Sequence, residues 1–276
     1  MLDKQGCYFG QFKYGYKHGK GKQLFSDGSL YEGYWKEDMA NYQGRLIHSN
    51  GDSYEGEWFD DKAHGKGIYC VINIKNLGKY CHLDGNSFEG SWFFDQHFGL
   101  GAEKFYDKEN DDYNRYEGNY WKGKKHGNGR FFWANGSYYR GQFKNDNLHG
   151  KFFKSKNIGE GDYCFSDGRK YIGDWQHNQM HGVGTFYWPD KRMYEGSYRY
   201  DKKEGHGTFE FNDEMKDWKG VTTTRLVRYS GNWVFGQQHG KGLMTIIENG
   251  ILKIEKWGEW ERGQHFKWFR QKPPMK

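Results

Sequence analysis

The chain has 276 residues, a formal net charge of +6 and a sequence pI near 8.8, with aromatics at 20%, 41 Gly and only 3 Pro. Collagen-like chains need Gly at every third position with abundant Pro, and disordered low-complexity chains lack large rings, so both classes are excluded. A mean hydropathy of −1.13 and the lack of a long apolar run exclude a membrane-spanning helix.

The opening MLDKQGCYFG has neither a basic n-region nor an apolar h-region, so a soluble, non-secreted protein of the cytoplasm or cytoskeleton is expected. Cys7, Cys70, Cys81 and Cys164 are scattered without a CxxC pair, which predicts reduced thiols and neither a disulfide framework nor a zinc site. The positive charge is spread along the chain; it permits attraction to an acidic surface without demanding it.

After an N-terminal lead (residues 1–7), a repeat begins in which an aromatic is followed two residues later by Gly. It recurs at Tyr8, Tyr31, Tyr54, Phe88, Tyr116, Tyr139, Tyr171, Tyr194 and Tyr229, giving nine repeats with a basic spacing of 23 residues. Counting the leading aromatic as position 0, a second ring stands at +4, as in Trp35, Trp58, Trp92 and Trp175. His-Gly follows at +10, as in His18-Gly19, His64-Gly65, His126-Gly127, His149-Gly150, His181-Gly182 and His239-Gly240, commonly with a further Gly at +13. Many repeats close on Asp-Gly or Asn-Gly: Asp27-Gly28, Asn50-Gly51, Asp84-Gly85, Asn135-Gly136, Asp167-Gly168 and Asn249-Gly250. A partial tenth copy follows in Lys256-Trp257-Gly258-Glu259-Trp260, and the repeats fill residues 8–263.

Positions 0, +2 and +4 share the period of two of a β-strand, so two rings and the Gly between them fall on one face. The second half of the repeat does the same with its glycines and later rings, as in Gly182, Gly184, Phe186 and Trp188. A ring can then lie across a neighbouring Gly, supplying the packing that a Gly-rich strand lacks. The Asp-Gly and Asn-Gly steps supply the positive φ of tight turns. The prediction is an all-β fold: an elongated, single-layer antiparallel sheet of tandem β-hairpins in which each repeat touches its neighbours. Insertions are expected near Asn76 to Gly85, Asp107 to Arg115, Phe152 to Phe165 and Lys216 to Arg228.

Tyr54-Glu-Gly-Glu-Trp58 with His64-Gly-Lys-Gly67, Tyr31-Glu-Gly-Tyr-Trp35 and Asn135-Gly136 resemble MORN (membrane occupation and recognition nexus) repeats. The resemblance covers residues 8–263 and implies a single-layer twisted sheet that serves as a scaffold. The settings it implies include radial spoke heads of motile cilia, parasite division cytoskeleton, membrane junctions, and modules beside lipid-kinase or methyltransferase domains.

The repeated histidines suggest a metal ladder, but copies spaced by a repeat stand about 10 Å apart, whereas zinc needs ligands at about 2.0–2.1 Å. Gly19-Lys-Gly21-Lys22 and Gly65-Lys-Gly67 lack the GxxxxGK[ST] spacing and the βαβ setting of a phosphate loop. The interleaved rings and lysines could stack on nucleic acid, yet the rings recur with glycine partners, as in a sheet that packs on itself. No catalytic constellation, cofactor site or metal site is read from the chain, and an enzyme is not expected. The remaining non-repeating segment, the aromatic and basic tail 264–276, holds the candidate partner-binding residues Phe266, Lys267, Trp268, Phe269 and Arg270.

The expected function is a non-enzymatic structural scaffold of a multisubunit cytoskeletal complex, first of all a radial spoke head of the ciliary axoneme. It would bind protein partners, with self-association as a further option and no nucleic acid. The alternative is a peripheral membrane tether that binds anionic phospholipid.

Overall fold

The computed structural model describes residues 6–71, 86–150, 161–216, 218 and 222–273. It divides into two compact units, Met1–Asn135 with Lys144–Asp146, and Gly136–Phe143 with Asn147–Lys276. Among the described residues there are strands and turns and no helix, so no helix is long and apolar enough to cross a membrane. The expected insertion at Asn76 to Gly85, with Cys81 and Asp84-Gly85, lies outside the described residues, as do residues 1–5, 151–160 and 274–276. Cys7, Cys70 and Cys164 are free thiols.

The strands of the first unit are β1 (Cys7–Lys13), β2 (Tyr16–Leu24), β3 (Leu30–Lys36), β4 (Met39–Ile47), β5 (Ser53–Phe59), β6 (Lys62–Cys70), β7 (Ser87–Phe93), β8 (Gln96–Asp107), β9 (Asp112–Trp121) and β10 (Lys124–Phe132). Each pairs antiparallel with the next. The second unit holds β11 (Tyr138–Lys144), β12 (Asn147–His149), β13 (Asp162–Cys164), β14 (Lys170–Gln176), β15 (Gln179–Tyr187), β16 (Met193–Arg199), β17 (Lys202–Lys216), β18 (Thr222–Val234), β19 (Gln237–Glu248), β20 (Ile251–Glu261) and β21 (Gln264–Trp268). From β13 onward these also pair antiparallel in chain order. Every repeat is thus a hairpin, as its period-two grammar predicts.

Each ladder places the +2 Gly opposite the +13 Gly, as in Gly33↔Gly44, Gly56↔Gly67 and Gly173↔Gly184. The leading ring lies across that pair. A Cβ on Gly44, Gly67, Gly129, Gly184 or Gly207 would overlap the ring of Tyr31, Tyr54, Tyr116, Tyr171 or Tyr194. The phenol then donates to the backbone carbonyl three residues on, at 2.9–3.1 Å in the eight repeats that begin with Tyr. Phe88 holds the same place without a hydroxyl to satisfy.

Glycine at +11 behaves differently. It sits at a β-bulge with positive φ, +68° at Gly65, and a Cβ there would meet the +3 side chain, Glu57. In the second repeat Tyr42 occupies this position and adopts φ 61°. The +11 glycine therefore serves the backbone, whereas the +13 glycine makes room for the ring.

The tight turn inside a repeat falls at +6 and +7. Asp60-Asp61, Phe94-Asp95, His177-Asn178 and Tyr200-Asp201 all have positive φ at both residues, the conformation of a type I′ hairpin turn. The Asp-Gly and Asn-Gly closers mostly lie between repeats, where Phe25 N–H donates to the Ser29 carbonyl at 2.8 Å and Gly28 N–H to the Phe25 carbonyl at 3.1 Å.

The insertions enter in two ways. Those at 107–115 and 216–228 lengthen a hairpin: β8 and β9 continue to Asp107↔Asp112, and β17 and β18 to Lys216↔Thr222. The third interrupts a strand. β12 and β13 are separated by 151–160, yet both follow β14, through the Gly150↔Trp175 bridge and the Asp162↔Ile172 register. Gly150 and Gly161 therefore hold the +11 and +13 roles, with the inserted segment between them.

Candidate binding surface

Rings at 0 and +4 form a zipper along one face. The two rings of a repeat meet edge to face at 5.0–5.6 Å. The leading ring also meets the +4 ring of the following repeat, at 4.7–5.2 Å in Tyr31–Trp58, Tyr54–Trp92, Tyr194–Trp233 and Tyr229–Trp260. Such pairs are worth about 0.5–1.5 kcal/mol beyond their buried area. Several indoles also donate to the +13 Gly carbonyl of the repeat before: Trp58 to Gly44 at 3.0 Å, Trp92 to Gly67 at 3.3 Å and Trp233 to Gly207 at 3.1 Å. Burial holds the phenols of Tyr31, Tyr54, Tyr171, Tyr194 and Tyr229 well above the usual tyrosine range, so they remain neutral donors.

A second set of contacts locks adjoining repeats at the turn. The +7 carboxylate accepts the +9 N–H of the preceding repeat while its own N–H donates back to the same residue's carbonyl. Asp61 holds Ala40 in this way at 2.6 and 3.0 Å, and Asp95 holds Ala63 at 2.7 and 3.0 Å. Asp38 with Lys17, Asn178 with Leu148 and Asp201 with Met180 repeat the lock. The recurrence of Asp or Asn at +7 was a readable signal of it, but its partner lies 21 residues earlier in Asp38, Asp61 and Asp201.

The +9 side chain faces into the ring zipper, and its identity changes from repeat to repeat. Lys17 Nζ lies 4.7 Å from the Trp35 ring and 5.4 Å from Tyr8, and donates to Gln23 Oε1 at 2.8 Å. Lys125 Nζ lies 5.2 Å from Tyr116 and binds Glu103 Oε2 at 2.6 Å. Lys203 is surrounded by Trp233, Tyr194, Phe209 and Trp188 at 4.7–5.1 Å. Burial, with the Arg192 charge adding to it, lowers that ammonium to about 8. His97 stacks on Phe88 at 3.6 Å, and burial pushes its imidazole down.

Ala stands at +9 in both the second and the third repeat, as Ala40 and Ala63, and space opens beside Ala63. Above it lies a groove of about 530 Å³ lined by Tyr54, Tyr69, Trp92 and His48, with the carboxylates of Asp61, Asp95 and Glu103 at its sides. Sequence reasoning missed this groove: the +9 column shows Lys17, Lys125 and Lys203 but also both Ala40 and Ala63, so it does not single out Ala63.

The other face carries a strip of partly exposed rings. His64 touches Phe59, Phe93 and Phe94 at 5.3–5.7 Å; Phe93 continues to Phe98 at 5.6 Å, and Phe98 to Trp121 at 5.0 Å. Lys62 lies 5.5 Å from Phe94 and Lys122 5.9 Å from Trp121. Among the described residues no three His, Cys, Asp or Glu side chains converge to hold a metal ion.

The structure distributes the candidate tail residues along an edge. β21 pairs with β20 through Gly258↔Trp268 and Glu259↔Lys267, so the boundary drawn at residue 264 cuts through a tenth hairpin. Phe266 is 68% exposed, and Lys267 pairs with Glu259 at 2.9 Å. Trp268 packs on His265 at 3.9 Å and Trp260 at 5.8 Å. Phe269 N–H donates to the Trp257 carbonyl at 2.8 Å, and Arg270 is exposed. Phe266 and Arg270 are thus presented to solvent, while Lys267, Trp268 and Phe269 also hold the strand in place.

No curated protein matches the chain. A family model for the MORN repeat matches residues 8–30, 31–53, 54–70, 116–138, 139–151, 171–191, 194–216 and 229–246. These matches begin at the leading aromatics already described, and the hairpin beginning at Phe88 has the same Gly90↔Gly101 register. With more than half of its length matched, the chain belongs to the MORN-repeat family.

Proposed function

We propose that this chain is a non-enzymatic scaffold that binds protein partners and holds together a cytoskeletal complex, with the radial spoke head of a ciliary axoneme as its setting. The observation that carries the scaffold role is how the repeated residues are used. Tyr at 0, Gly at +2 and +13, the ring at +4 and Asp at +7 are engaged in holding hairpins together. What varies between repeats is left to recognise partners: the +9 side chain, the insertions and the β21 edge. Among the described residues β21 pairs with β20 alone, so its other side offers backbone groups for strand addition, with exposed Phe266 on it and exposed Arg270 just after it. The axonemal setting is supported by family resemblance. Tagged protein in a ciliated cell should remain with the axoneme after detergent extraction; a uniformly soluble distribution contradicts that setting.

A second reading, peripheral attachment to anionic membranes, is favoured by the strip formed by Phe59, Phe93, Phe94, Phe98 and Trp121 with Lys62 and Lys122 beside it. Rings flanked by lysines suit the lipid interface. It predicts sedimentation with phosphatidylserine vesicles that fades as salt rises. No binding at low salt removes it.

A further inference from the structure

We propose that the groove over Ala63 is a binding site for a lysine side chain supplied by a basic segment of a partner protein. The inference rests on the protein-scaffold reading and names the chemistry by which one partner would be held.

The chain itself shows what this kind of groove accommodates. Lys203 is enclosed by four rings: position 0 of its own repeat (Tyr194), +4 of the next (Trp233), +15 of its own (Phe209) and +17 of the one before (Trp188). The same four positions around Ala63 are Tyr54, Trp92, Tyr69 and His48, and all four line the groove. Lys17 and Lys125 occupy the corresponding place in two further repeats, against Tyr8 and Trp35 and against Tyr116. At Ala63 the cage is built and the side chain that would fill it stops at Cβ.

Charge selects a cation for that space. Asp61, Asp95 and Glu103 line the groove, and among the described residues of the lining there is no Lys or Arg. Glu103 is already paired with Lys125, which leaves Asp61 and Asp95 as the carboxylates of the lining with no ion pair among the described residues. Each uses Oδ1 to accept a backbone N–H, from Ala40 and Ala63, so both are fixed in place before a ligand arrives. An alkyl chain over Tyr54 and Trp92 with its ammonium near ring faces and carboxylates combines apolar burial with cation–π attraction. The site is preorganised because Tyr54 is buried and Trp92 is held by its bond to the Gly67 carbonyl.

The test uses the full chain and the capped tripeptide acetyl-Ala-Lys-Ala-amide. Titration should shift the indole N–H resonances of Trp58 and Trp92 saturably and leave those of Trp175 and Trp233 unmoved. Replacing the probe's Lys by norleucine or Nε-acetyl-lysine should weaken binding by about tenfold or more. Ala63→Lys should abolish binding by filling the cage from within, with thermal unfolding showing that the variant is folded. If the variant fails to fold, the indole map and the norleucine comparison on the unmodified protein still decide. The proposal is overturned by an absence of saturable shifts, by equal binding of norleucine, or by a folded Ala63→Lys variant that binds as well as the parent. Binding to phosphatidylethanolamine vesicles without binding to the peptide also overturns it, assigning the groove to a lipid amine. Retention with detergent-extracted axonemes is measured on the same protein: retention without peptide binding removes the groove assignment alone, peptide binding without retention removes the axonemal setting alone, and loss of both removes the two together.

Discussion

The eighth and third repeats place the same framework around opposite contents. At Lys203 four rings close on an ammonium; at Ala63 the corresponding positions bound a groove of about 530 Å³. Hairpin register is the same in both, with Gly196↔Gly207 in one and Gly56↔Gly67 in the other. The repeat thus separates two tasks. Rings, glycines and turn carboxylates build the sheet, and between these two repeats the +9 residue, Lys203 or Ala63, differs in whether it fills the space among the rings.

The largest expected effect tests what the two regions share. Gly67→Val and Gly207→Val each force a side chain into the leading Tyr ring, Tyr54 or Tyr194, and each should cost about 3 kcal/mol in chemical denaturation. A neutral outcome at either site removes the ring-on-glycine account there.

The next effect tests what is peculiar to Lys203. Its folded pKa, about 8, lies below the ordinary lysine value of about 10.4. Between these values the unfolded chain binds the extra proton, so this group makes stability rise with pH across that window; below it the full cost of burying the charge is present. Lys203→Met should therefore be more stable at pH 7, by about 1 kcal/mol after discounting for partial exposure and solvent screening. The difference between parent and variant should shrink from about pH 8 to 10.5. Parallel stability curves contradict a caged, charge-strained lysine. The tyrosines act with the opposite sign: their raised pKa values make stability fall once the pH passes about 10. Comparing parent and variant cancels that shared contribution.

A smaller effect comes from the turn lock. Asp95→Ala removes the acceptor for the Ala63 N–H and should cost about 1 kcal/mol. Asp95→Asn should cost less than about 0.5 kcal/mol, because an amide oxygen can still accept, as Asn178 does at the same position in the seventh repeat. Equal losses for the two variants refute the lock. Comparably small, Ala63→Lys should leave stability nearly unchanged, within about 0.5 kcal/mol, because the cage accommodates what it gains.

Much of the fold was legible in local pattern. Period two placed Tyr54, Gly56 and Trp58 on one face, and the 23-residue spacing announced repeating hairpins. The +7 lock was less legible: Asp61 looks like an ordinary turn residue until the preceding repeat is laid beside it and Ala40 N–H comes within reach. The groove was harder still, because its lining comes from positions 0 and +15 of one repeat, +4 of the next and +17 of the one before. A lysine at +9 reads as a solvated charge along the chain, and only lateral packing turns Lys203 into a buried plug. The interrupted strand was readable by arithmetic: the interval from Tyr139 to Tyr171 is 32 residues against the basic 23, and the surplus falls between Gly150 and Gly161.

The central claim, that the groove over Ala63 is the space which a +9 lysine fills in the eighth repeat, is tested most directly by a crystal structure of the Ala63→Lys variant. The new Nζ should lie within about 6 Å of the Tyr54, Tyr69 and Trp92 ring centres, as Lys203 Nζ lies 4.8 Å from Tyr194, and the groove should be gone. A lysine turned out to solvent above an open groove would contradict it.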